Sequence, residues 1–348
     1  MKLFPPQINS LLIASVLILA SLACRSGAVE DILTNRGQEG VTVFDLEIDP
    51  VTPTTLYAGT YFGVFKSTDG GKDWSAVNAG LPKTDVSTLA IDPQNPSTLY
   101  AGTRGGGVFK STDGGASWRS VSSGLTNTYI VALAIDPTAP TTLYAGTSGI
   151  EGGPVFKSTN GGETWSMAST GLDGNIAHAF AIDPQVPTTL YAGGSGVFKS
   201  ADGGGSWTKI NAGVGVEVTA LAIDPKMPTI FYAGGRGGPI FWTDDGGETW
   251  NASSSNQYVY ALAVNQETST MIYAGTLGNV GAVLKSMDGG ANWTPVKNGL
   301  PDSDVFALAI DPVRPATLYA GTRYWGVFKS TDGGISWSEA NAGLHQQP

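Results

Sequence analysis

The chain has 348 residues, with 19 Lys and Arg against 29 Asp and Glu, giving a net charge of −10 and a pI of about 4.6. Proteins that grip phosphate backbones or anionic membrane surfaces need clustered cations, and no basic run exists here, so both partners are disfavoured. The single cysteine excludes a disulfide framework, and stability must come from packing.

Residues 1–24 read as a targeting segment. Lys2 is the only charge before the apolar run Leu11–Ala23, which is short for a membrane span and right for a signal-peptide core. The run ends Ala20-Ser21-Leu22-Ala23-Cys24. Small residues followed by Cys resemble a bacterial lipoprotein signal, in which Cys24 is lipidated and becomes the mature N-terminus. Ser21 departs from that pattern, since Leu is usual three places before the Cys. Cleavage after Ala23 or Ala28 is the alternative. Either route exports the protein, to the periplasm, the cell surface or the medium. Residues 25–40 form a polar tether. Within it, Asp31–Gly37 matches the spacing of Trp74–Gly80 and is either a spare outer strand or linker.

From Val41 onward the chain repeats. Val64–Trp74 reads VFKSTDGGKDW, and near-copies end at Trp118, Trp165, Trp207, Trp250, Trp293 and Trp337, spaced 44, 47, 42, 43, 43 and 44 residues apart. A fixed period of this length built from strand-like segments signals propeller blades, each too small to bury a core alone. The repeats fill residues 41–348 and leave no room for a second domain.

The second unit shows the pattern. Val86–Ile91 (VSTLAI) is a nearly continuous apolar run, as in a strand buried on both faces. Asp92–Ser97 is a proline-bearing turn, Thr98–Thr103 a second strand, Arg104–Gly107 a glycine-rich tip and Val108–Ser111 a third strand. Thr112–Ala116 turns the chain, and Ser117–Ser123 is the fourth strand. Seven such units predict an all-β, seven-bladed propeller with four antiparallel strands per blade and the first strand lining the channel.

In the turn, Asp113 can accept N–H groups beyond it, Gly115 supplies a positive φ, Ser111 closes the other side, and Trp118 folds over the hairpin. The pattern S-x-D-x-G-x-x-W resembles the Asp-box (BNR) repeat family over almost all of the repeat region. Its Asp position holds Asp69, Asp113, Asn160, Asp202, Asp245, Asp288 and Asp332, and Thr243 replaces one Ser. Asp boxes occur in sialidases, xyloglucanase-type glycosidases, sortilin-type receptors and photosystem II assembly-factor-like proteins. The resemblance implies that the box is a structural turn at the blade periphery, away from ligand. A calcium loop is disfavoured, because each turn offers one carboxylate and the alternate positions are glycine.

Tips between second and third strands should share one face with the blade-to-blade links, and there the units differ. The tips carry Tyr61, Phe62, Arg104, Glu151, Arg236, Arg323, Tyr324 and Trp325, and the links carry Asp85, Asp173, Glu217, Asp302 and Asp304. One inner-strand register holds Phe44, Ser87, Val131, His178, Thr219, Tyr260 and Phe306. Variable loops on a rigid scaffold are where binding residues sit. Trp325 beside Tyr324 suits a protein hot spot or a sugar-stacking platform, while Trp242, in place of the repeated Lys, reads as local repacking.

Three sharper chemistries compete with blander readings. Arg104, Arg236 and Arg323 stand at equivalent tips, as three arginines gripping a carboxylate sugar in a sialidase would. The sialidase Arg-Ile-Pro signature and a Tyr–Glu nucleophile are absent, so hydrated hairpin arginines are expected. The link carboxylates are weak catalytic candidates, because glycosidases place two acids about 5 or 6.5–9.5 Å apart. Xyloglucanase-type enzymes also work between two propellers, and one is present here. His178 reads as a packed or solvated histidine. No metal, cofactor or nucleic acid is expected. The sequence points to an exported scaffold binding protein or glycan at the cell envelope, touching membrane only through a lipid anchor, with a glycoside hydrolase or a purely structural surface protein as alternatives.

Overall fold

The computed structural model describes residues 40–149, 152–210, 213–278 and 283–345. The signal-like segment, Cys24, residues 25–39 of the tether and Glu151 lie outside them. Seven four-stranded antiparallel sheets follow one another in chain order, and the inner strands of the first and last sheets pack together to close a ring. In blade one, β1 (Val43–Ile48), β2 (Leu56–Thr60), β3 (Gly63–Ser67) and β4 (Ser75–Ala76) run from the channel outward. The expected seven-bladed propeller is what forms.

Each strand type follows from its residues. The second strands read LYAGT or a close variant and are wholly buried, as central strands covered on both faces must be. Inner strands pair with them through a bulge at Phe44, Ser87, Val131, Thr219, Tyr260 and Phe306. A bulge adds one unpaired residue and re-aims its side chain. That is why this register stands out at the channel mouth. The fourth strands are shorter than Ser117–Ser123 predicts: that of blade two is Arg119–Ser120. After Val121, the Ser122 hydroxyl accepts the Val108 N–H (3.0 Å) and takes the place of a backbone rung.

The Asp box closes by hydrogen bonds. Ser111 donates to Asp113 (2.7 Å), the Gly115 N–H donates to Ser111 (2.9 Å), and the Ser117 N–H donates to Asp113 (2.9 Å). Gly115 sits at φ 89°, a conformation that favours glycine. Hydrogen bonds from Ser117, side chain first, hold the Asp113 carboxyl down at about 2. Asn160 accepts the same bonds from Ser158 and the Thr164 N–H, so the neutral amide serves equally.

In every blade but the sixth, the tryptophan does not bond its own hairpin. The Trp118 indole N–H donates to the Val77 carbonyl of the preceding blade (2.8 Å), and Trp165, Trp207, Trp250, Trp337 and Trp74 make the same backward bond. The repeated Tyr and Lys reach forward. Tyr57 and Lys66 both donate to the Gly114 carbonyl in the next blade's box (3.2 and 2.9 Å). The ring closes by the same bonds, with Tyr319 and Lys329 on Gly70 and Trp74 on Ala340. Six of the seven boxes therefore lock their blade to the one before it, that of blade six being the exception.

Candidate functional site

Boxes bond to the proline connectors, as Gly114 does to Ser97, while tips bond to links, as Arg104 does to Asp85. These contacts separate a uniform back face from a variable mouth face. Tip and link backbones also bridge at Arg104 with Tyr129 and at Arg236 with Tyr258. The mouth loops are thereby fixed before any ligand arrives.

Aromatic rings line the mouth across blades six, seven and one. Tyr260 meets Phe306 edge-on (4.9 Å), Phe306 stacks with Phe44 (6.1 Å), and Phe44 meets Tyr61 edge-on (4.6 Å). Phe62 and Trp325 occupy equivalent tip positions and stand 39% and 44% exposed. Asn78 and Asn341 hold them in the same way, each donating to the tip carbonyl. Tyr324 has φ 70°, which strains a bulky residue; the equivalent Gly105 has φ 104°. Its N–H donates to Thr42 (3.1 Å), and the Arg323 guanidinium lies over its ring (4.8 Å).

The arginines differ from expectation. Arg104 pairs with Asp85 (3.6 Å), Arg236 with Glu217 (3.3 Å) and Arg323 with Asp304 (3.3 Å). They are not simply hydrated tips, and each spends its charge on the link of its own blade. Arg104 also lies over the Phe44 ring (4.3 Å). Each acid stands nineteen residues before its arginine (85 and 104, 217 and 236, 304 and 323), a constant spacing readable in the sequence.

Two clefts lie among the tips and links. One, of 580 Å³, is lined by His178, Glu217, Asn175 and Ser195 among others. His178 Nε2 lies 2.7 Å from Glu217, and burial pushes the imidazole below its usual value against the opposing pull of Glu217. The other, of 540 Å³, holds Asp302, Asp304, Lys297 and Leu277. Asp304 is buried and accepts the Gly278 N–H (3.1 Å), whereas Asp302 is 81% exposed and pairs with Lys297 (3.5 Å). Asp173 is exposed at φ 51° and joins neither cleft.

Two residues escaped sequence reasoning. Asp45 and Glu47 lie on β1, where the other inner strands carry Ala, with Thr88 the one exception. Asp45 accepts the Leu46 N–H and, across the blade boundary, the Leu89 N–H (2.7 Å). Burial pushes its carboxyl up to about 6, and burial with the neighbouring Asp45 pushes Glu47 well above the usual range. The signal for both is their departure from alanine when the seven inner strands are aligned.

These features define a class, a seven-bladed β-propeller on Asp-box turns with an asymmetric mouth. A family model described as Sortilin-Vps10, sortilin or neurotensin receptor 3, matches residues 63–182. The GH74 enzyme of Niastella koreensis is similar in structure, with TM-score 0.71 and 21% identity, over 88% of this chain and 55% of that one. This chain thus spans about half of that enzyme. YCF48 from Cyanidioschyzon merolae matches at TM-score 0.64 and 17% identity, over 84% of this chain and 96% of that one. YCF48 bound to D1 peptide matches at 0.63 and 14%, over 84% and 94%. No curated protein matches the sequence. At these identities the likeness establishes the fold.

Proposed function

We propose that this chain is an exported, non-catalytic propeller that binds a protein partner on its mouth face and serves as an assembly scaffold. The observation that carries the reading is the aromatic arc, with Phe62 and Trp325 exposed at its rim. Aromatic anchors in a preorganised setting are the residues that dominate protein–protein binding. The three ion pairs leave the tip arginines committed within the protein. A solved YCF48 structure of similar fold holds a peptide, which is consistent with this use of a propeller.

The test is selection of a random peptide display library on the immobilised chain. Selected peptides are expected to lose at least about tenfold in affinity with Phe62→Ala or Trp325→Ala, as hot-spot anchors do. Enrichment indifferent to both changes would remove the mouth from the account. The rival reading, a glycoside hydrolase, is favoured by Asp302 and Asp304 sharing one cleft. Turnover of glycosides that vanishes in Asp304→Asn would establish it in place of the scaffold.

Export with a lipid anchor at Cys24 belongs to the same proposal and rests on the sequence of residues 1–24. Cys24→Ser is expected to move the protein from the membrane fraction to the soluble fraction of the producing cells. Unchanged fractionation would defeat the anchor and leave simple secretion.

A further inference from the structure

Four bonds recur where one blade meets the next: Tyr hydroxyl and Lys ammonium to the box glycine carbonyl, and Trp indole and backbone N–H to the preceding blade. Between blades two and three these are Tyr100 and Lys110 to Gly161, with Trp165 to Val121 and Ser123. Between blades five and six none of the four forms among the described residues. Trp242 stands where the Lys should be. The Trp293 indole donates instead to Gly290 in its own turn (2.9 Å), and Trp293 is only half-buried.

One glycine position accompanies the difference. At the five boundaries where all four bonds form, a glycine follows the outer strand and presses on the next box Trp; between blades four and five, where Lys199 and Trp250 keep two of the bonds, Gly213 meets nothing within 4 Å. A Cβ on Gly80, Gly124, Gly171, Gly299 or Gly343 would stand 2.0–2.2 Å from that Trp carbonyl. Blade five has Asn256 at this place, and its Cβ bars the same approach. Trp242 packs an apolar face toward Gly290 in place of the ammonium. Parting an apolar contact breaks no hydrogen bond, whereas parting a lysine latch breaks the ammonium's bond to the glycine carbonyl.

The inner half of this boundary is intact. Thr219 donates to the Val259 carbonyl (2.5 Å), the Gln257 N–H donates to Gly238 (2.9 Å), and Arg236 bridges with Tyr258.

We propose that the ring opens at this one boundary, its outer half parting while the inner strands and mouth loops act as the hinge. Glu217 and Arg236 lie on one side of the hinge and Tyr258 and Tyr260 on the other. Resting on the binding role of the mouth, a partner spanning these residues closes the boundary.

Hydrogen exchange on the full chain tests this. Amides of Asn251–Ser255 and Trp293–Lys297 are expected to exchange at least about tenfold faster than their equivalents at the other boundaries, as for local opening. Trp242→Lys is expected to slow exchange there and nowhere else. Equal protection around the ring in the unmodified protein would overturn the proposal even if the variant failed to fold. A peptide selected on the mouth is expected to protect the five–six boundary. Failure to select any peptide defeats the mouth reading and leaves the exchange result standing; a bound peptide without protection defeats the coupling.

Discussion

Trp118→Ala is expected to lower stability by about 3–5 kcal/mol, the range for removing a buried large aromatic side chain. The indole fills the seam between blades one and two and satisfies the Val77 carbonyl, so its loss leaves both a void and an orphaned acceptor. Trp293→Ala should cost less, about 1–2 kcal/mol, because that ring is half-buried and bonds only its own turn. Chemical denaturation of the two variants side by side checks the difference. Equal losses would mean that the tryptophans act within their own hairpins, and the account of locked blades would fail.

Glu47→Ala is expected to stabilise the protein by about 0.5–1 kcal/mol near neutral pH, the low end of the scale for a polar group drawn from water, because Glu47 is only half-buried. Glu47 accepts no hydrogen bond among the described residues, and Asp45 beside it opposes its ionisation. The sign follows from linkage. In the unfolded chain these acids lose their protons near pH 4, while in the folded ring Asp45 holds its proton to about 6 and Glu47 also holds on well above its ordinary range. Between those limits the folded state binds more protons, so stability falls as pH rises. The gain from Glu47→Ala should therefore grow as pH rises and fade toward about pH 4, where the unfolded acid is itself protonated. Asp45→Ala gains less, since it strands the Leu89 N–H. Melting curves across that range measure it; a variant less stable than the parent at all pH values would show that the acids support the ring.

The blades were legible because one box sequence recurs with its Ser, Asp, Gly and Trp, each answering a local demand of the turn. The direction of the locks was not, because a bond from Trp118 to Val77 joins different units and no local pattern reports it. Nor does any local pattern report that Lys66 and Tyr57 end on Gly114 of the next blade. The mouth face followed from where copies differ. The fate of Arg104, Arg236 and Arg323 needed a second alignment, against the acids nineteen residues earlier. Asp45 and Glu47 were hidden because variation in loops points to binding, while their departure from alanine sits inside a strand.

The backward lock has a further consequence. Every boundary in the ring is head-to-tail, the arrangement by which identical subunits form a closed cyclic assembly. In such an assembly of separate chains, each mutation would appear in every subunit, and the mouth would be forced into sevenfold sameness. Joining the blades covalently frees each one to change alone. An aromatic arc on three blades, a histidine on one and a weak boundary between two others are possible only because the subunits of this ring share a single chain.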